Sequence, residues 1–243
     1  MWKREGVMRA KLIIGLCLLW CNSIWAVNKP NIVFVLMDDL DQVVTEPYYD
    51  KVLPKTMKIV NEGVRFKNTF VTTPLCCPSR AAILSGRYAH NTNVFNNGSA
   101  NGGRWQFIDD EPNALPAHLY RLGYETIIIG KYMNGFGAKK RNLKKNILPD
   151  PPYGWNKGHV FVSKNLKKYK GYNYHSYNWE DGAPVKENEW KAKNQNASWH
   201  GEKEEDYSTD FVKNKMLEFL KQRKKESKKS KKPFFAYLNP TCP

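Results

Sequence analysis

The sequence predicts an α/β domain with a largely parallel central sheet. Three apolar runs carry this expectation: PNIVFVLMDDL (30–40), YETIIIGKY (124–132) and PFFAYLNP (233–240). Continuous apolar runs without polar alternation suit parallel strands buried on both faces. Helical stretches lie between them, and that alternation favours crossovers onto one sheet. A chain of 243 residues is long enough for one sizeable domain or two small ones.

The elements follow in order. The first strand, 30–40, meets Asp38 and Asp39 at its C-terminal end, where open α/β sheets collect their chemistry. LPKTMKIVNEG (53–63) fits a short helix stopped by Gly63. VRFKNTFV (64–71) alternates and is expected to be a strand. CCPSRAAILSG (76–86) is expected to be a helix, with Pro78 in its first turn and Gly86 at its end. ALPAHLYRLG (114–123) is another helix ending in glycine, and 124–132 the next buried strand. STDFVKNKMLEFLKQR (208–223) predicts a helix with Ser208 as N-cap and an apolar stripe of Phe211, Met216, Leu217 and Leu220. Residues 135–207, rich in Lys, Asn, Tyr, Gly and Trp, show little periodicity and predict a long, partly irregular insertion.

Composition narrows the class. Hydrophobic residues at 41% are enough for a core and exclude global disorder. The formal charge of +16 favours a polyanionic partner: nucleic acid, anionic lipid or sulfated polysaccharide. The tract KQRKKESKKSKK (221–232) is either a solvated helix end and loop or a polyanion contact. At the N-terminus, basic MWKREGVMRAK, apolar LIIGLCLLW and CNSIWA predict a signal peptide over 1–26, cut near Ser23 or Ala26. The apolar core is too short to span a bilayer, so no stable membrane insertion is expected. A secreted chain seldom meets nucleic acid, which sets that partner aside. Of five cysteines, Cys17 and Cys21 leave with the signal; Cys76 or Cys77 can pair with Cys242 or with a cysteine elsewhere, but not readily with each other.

Three elements point at one place. Adjacent Asp38 and Asp39 at a strand end suit a bound cation. Cys76 begins a helix whose N–H groups favour anions, and Arg80 follows on the same face. Lys131 ends the second buried strand. Cation, helix N-terminus, Arg and Lys together suit a sulfate or phosphate ester.

CCPSRAAILSGR (76–87) resembles the C-x-P-S-R-x-x-x-L-[TS]-G-[RK] signature of the type I sulfatases. NIVFVLMDDLDQ, TPLCCPSRAAILSGRYAHNTNV, EPNALPAHLYRLGYETIIIGKYMNGFG and PPYGW narrow the likeness to the glucosamine-6-sulfatases and the extracellular heparan endosulfatases. The resemblance implies an alkaline-phosphatase-like sandwich, of which this is the N-terminal portion. It implies conversion of Cys76 to formylglycine (3-oxoalanine) by the formylglycine-generating enzyme. It also implies one calcium ion held by Asp38, Asp39 and the modified Cys76. In that chemistry a geminal hydroxyl attacks sulfur, Arg80 holds the nucleophile, and Lys131 binds sulfate oxygens. His90 and Asn134 stand where substrate contacts are expected, whereas His118 is expected to be structural. The implied activity is removal of 6-O-sulfate from N-acetylglucosamine units of heparan or keratan sulfate, in the lysosome or outside the cell. An endosulfatase, a phosphoesterase on the same scaffold and a non-catalytic glycosaminoglycan-binding protein are the alternatives. The family continues past LNPTCP with a histidine and a second acidic pair. Residues 27–243 are therefore expected to be part of a catalytic domain, inactive and poorly stable alone. Asn97-Gly-Ser and Asn196-Ala-Ser are N-glycosylation sequons.

Overall fold

The computed structural model describes residues 29–41, 48–98, 102–136, 150–162, 174–186, 189–227 and 231–241. The expected signal peptide, Cys17, Cys21 and Cys242 lie outside the described residues. The chain divides into units 1–30 and Asn31–Pro243, and the second carries every element below.

In chain order these are β1 (Ile32–Val35), α1 (Tyr49–Val52), α2 (Pro54–Glu62), α3 (Cys76–Ser85), α4 (Ala89–Thr92), α5 (Gly103–Phe107) and α6 (Leu115–Arg121). There follow β2 (Glu125–Gly130), β3 (Lys157–Val162), β4 (Tyr174–Lys186), β5 (Glu189–His200), α7 (Ser208–Glu226) and β6 (Phe234–Asn239). The six strands form one sheet in the order β1-β6-β2-β3-β4-β5. The first four in that row are parallel to one another. β3, β4 and β5 pair antiparallel. The α/β expectation holds, with an antiparallel extension.

β2 and β6 are buried on both faces, and their alternate side chains feed two cores. Ile128, Phe235 and Tyr237 join Cys77, Ala81 and Leu84 of α3 and the rings of Trp155, Tyr177 and Trp179. On the other face Ile127, Ile129, Phe234 and Ala236 pack against Phe211, Val212, Met216 and Phe219 of α7. Each such large side chain contributes roughly 1.5–3 kcal/mol of burial. α3 ends where predicted, with Gly86 in the left-handed conformation at φ 67°.

Several expectations are corrected. The first strand is not buried: β1 has only β6 beside it among the described residues, and Val33 and Val35 are 50% and 54% exposed. Residues 64–71 form no strand; Val64, Phe66, Phe70 and Val71 are exposed, and no described strand pairs with them. The span 135–207 is not irregular where described, since β3, β4 and β5 lie within it. Its aromatic residues alternate with polar ones, and Tyr177 and Trp179 are buried on one face of β4. Ser208 is not the N-cap of α7; Tyr207 holds that position, and the buried Ser208 hydroxyl meets the Thr241 hydroxyl at 3.3 Å. Leu217 and Leu220 are exposed, and Val212 and Phe219 take their places in the buried stripe. In the basic tract, Arg223 is not solvated: it pairs with Glu125 at 2.9 Å, which also takes Lys157 at 3.1 Å.

Candidate active site

The parallel register brings the C-terminal ends of β1, β6 and β2 level. Val35 sits opposite Leu238, and Gly130 opposite Asn239. Backbone bonds extend this pairing beyond the strands, from Asp38 N–H to Pro240 O at 3.1 Å and from Lys131 N–H to Asn239 O at 2.9 Å. Gly130 has φ 97°, and a Cβ there would lie 2.2 Å from the Asn239 carbonyl oxygen, so only glycine lets the chain turn here. That turn delivers Lys131 to the site.

Lys131 Nζ lies 3.3 Å from Cys76 Sγ and also donates to Asp38 Oδ2. Arg80, 2% exposed, is held by three acceptors: Asn239 Oδ1 at 2.7 Å, the Lys131 carbonyl at 3.0 Å and Asp38 Oδ1 at 3.2 Å. Burial pushes the Asp38 carboxyl up, but Lys131 and Arg80 more than offset this and leave it below the usual carboxylate range. Asp39 is exposed, in a left-handed turn at φ 57°. Asp38, Asp39 and Cys76 offer ligand atoms within 4.8 Å of one another. Two carboxylates fit a hard, oxygen-seeking divalent cation such as calcium, and two adjacent cationic side chains fit an anion beside it.

Cys76 is the first residue of α3 and half-buried; Cys77 is fully buried. Both thiols are free among the described residues. Burial pushes the Cys77 thiol up to about 11, which keeps it protonated and inert. Its sulfur accepts the Asn134 N–H at 3.2 Å, and its own N–H donates to Asn97 Oδ1 at 2.9 Å.

The structure thus brings together Asp38, Asp39, Cys76, Arg80 and Lys131. His90 is an exposed residue of α4 whose ring stacks on Tyr88 at 5.8 Å. Asn134 works through its backbone, donating to Cys77 and accepting the Arg104 N–H at 2.9 Å. His118 is exposed on α6, bonded to Asn113 O at 3.1 Å and to Arg121 at 3.0 Å. Two residues escape the sequence reading. Asn239 is signalled only by being a polar residue at the end of a buried strand. Asn97 carries no signal beyond its sequon.

Residues 30–241 match the sulfatase family profile, and the chain belongs to that family. Its relatives narrow the comparison. Over 240 residues it is 34% identical to human N-acetylglucosamine-6-sulfatase, covering 96% of this chain and 37% of the human enzyme. Over 205 residues it is 30% identical to the extracellular sulfatase SULF-1 homolog of Drosophila melanogaster, covering 83% of this chain and 15% of that one. The solved structure of BT4656 in complex with its substrate D-glucosamine-2-N,6-O-disulfate matches with a TM-score of 0.54 at 24% identity, covering 88% of this chain and 35% of that chain. That likeness establishes the alkaline-phosphatase-like fold. The chain spans little more than a third of the human relative's length.

Proposed function

We propose that this chain is part of a sulfuric ester hydrolase that removes 6-O-sulfate from N-acetylglucosamine units of glycosaminoglycans. The observation that carries this reading is the convergence of Lys131, Arg80 and Asp38 on Cys76 at the ends of three parallel strands. In this reading Cys76 is converted to formylglycine in the secretory pathway by the formylglycine-generating enzyme. Asp38 and Asp39 hold one calcium ion beside it. When bound, that ion polarises the sulfate ester and lowers the pKa of the attacking hydroxyl.

The chain's own residues do the rest. Lys131, 18% exposed at its side chain, faces the nucleophile position and binds sulfate oxygens as charge develops on them. Arg80 is positioned by three acceptors and holds the Asp38 carboxylate in place. The first N–H groups of α3 orient the residue at position 76 and favour negative charge there. Lysosomal or extracellular residence follows from the same pathway. No helix among the described residues is long and apolar enough to cross a membrane.

The test is peptide mass spectrometry across residues 66–87 of protein made in secretory cells with a working modifying enzyme. Formylglycine at Cys76 supports the reading. An unmodified Cys76 overturns it, and retained heparin binding would then make the protein a non-catalytic glycosaminoglycan binder.

A further inference from the structure

The face of β4 opposite Tyr177 and Trp179 is polar, and between it and α7 lies a groove of about 490 Å³. It lies across the sheet from the core in which α3 packs. Its size falls within the roughly 300–1,000 Å³ of small-ligand sites. Three strands place His159, Asn178 and Asn196 directly opposite one another. They form a chain of bonds: His159 Nδ1 to Asn178 Oδ1 at 2.8 Å, and Asn178 Nδ2 to Asn196 Oδ1 at 2.8 Å. One pair along, Ser176 Oγ meets His200 Nε2 at 2.9 Å. The His200 ring stacks on Tyr174 and packs edge-on to Phe211 of α7.

The chemistry of this lining is specific. It has amides, hydroxyls and imidazoles, one aromatic ring from α7, and a single Glu180 against a single Lys215. In a chain of net charge +16 this groove is locally balanced, so it does not select an anion. Alternating donors and acceptors beside an apolar ring suit a neutral sugar. Asn196 lies in the lining, is exposed, and begins the Asn-Ala-Ser sequon. The sequon at Asn97 differs, because that side chain is half-buried and spends its amide oxygen on the Cys77 N–H.

We propose that Asn196 carries an N-linked glycan whose first sugar seats in this groove. The donor is a lipid-diphosphate-linked oligosaccharide. The sugar C1–O bond breaks, C1 bonds to Asn196 Nδ2, the amide loses a proton to the transferase, and the lipid diphosphate leaves. Nothing is oxidised or reduced. Once attached, the sugar sees the groove at a tethered concentration of about millimolar, so weak contacts suffice to seat it. The inference rests on entry into the secretory pathway and not on sulfatase activity.

The experiment uses the full chain secreted from eukaryotic cells. Mass spectrometry of the Asn196 peptide reads occupancy. The rate at which N-glycosidase releases that glycan from the folded protein reads the seat. The expected results are an occupied Asn196 and release about tenfold faster from Asn178→Ala, which removes the middle amide of the row. A bare Asn196, or release unchanged by Asn178→Ala, overturns the proposal. The same digest reports Cys76, so formylglycine with a bare Asn196 sinks this inference alone. A glycosylated Asn196 with unmodified Cys76 sinks only the sulfatase reading.

Discussion

Asn97 Oδ1 accepts the backbone N–H of Cys77 at 2.9 Å and so caps α3 from twenty residues downstream. Leu75, the residue that precedes the helix, gives it no side-chain cap. Asn97→Ala should therefore lower stability by about 1 kcal/mol, the usual worth of a helix cap. Asn97→Asp keeps an acceptor and adds a charge that suits a helix N-terminus, so it should retain most of that stability. Denaturation midpoints of the two variants check this. Equal losses in both would show that the bond contributes nothing.

Glu111 is the centre of a buried network. It takes Arg104 Nε at 2.8 Å and Arg104 Nη2 at 3.2 Å, the Tyr132 hydroxyl at 3.0 Å and the Tyr153 N–H at 2.9 Å. Glu111→Ala leaves the buried Arg104 cation unpaired and should cost about 3–5 kcal/mol. Replacing both partners, as Glu111→Leu with Arg104→Met, should cost less than either single change. Guanidinium unfolding of the three variants decides it. Because Tyr132 adjoins Lys131, the single variant should also loosen the site.

His159 sets a pH dependence. Burial pushes its imidazole below the usual range, and Lys215 adds to this, while the Asn178 bond, Glu218 and Glu180 pull the other way. The folded state therefore holds His159 neutral where the unfolded chain, titrating near about 6.5, binds a proton. This contribution is fully present above that value and is lost as pH falls through the lower folded value. Unfolding midpoints taken from about pH 8 down to about pH 5 should fall, and more steeply than in His159→Gln. Parallel curves for the two proteins would remove His159 from the explanation.

The strands β2 and β6 are legible in the sequence because nearly every residue in them is buried. Ile127, Ile128 and Ile129 are all enclosed, and a run of that kind has few other readings. β4 and β5 are not legible, because their second face is polar and their register shifts repeatedly near Asn178, Glu180 and Pro184. Residues 64–71 show the opposite error: alternation without a partner strand is not a strand. Asp38, Cys76 and Lys131 announce themselves by residue type at or just beyond the ends of elements, and Arg80 by lying one turn into α3 on the face of Cys76. Asn239 and Asn97 do not, since their roles exist only once distant segments meet.

The strand order has a consequence in time. β6 comes last in synthesis among the described strands yet lies between β1 and β2. Arg80 cannot find Asn239, 159 residues downstream, until that residue has been made. At about 5–20 residues per second, translation alone keeps the pair apart for roughly 8–32 s. Throughout that interval the Cys76–Arg80 string has no finished sheet to dock on. The topology itself therefore leaves Cys76, half-buried once folded, on an undocked stretch of chain for that interval.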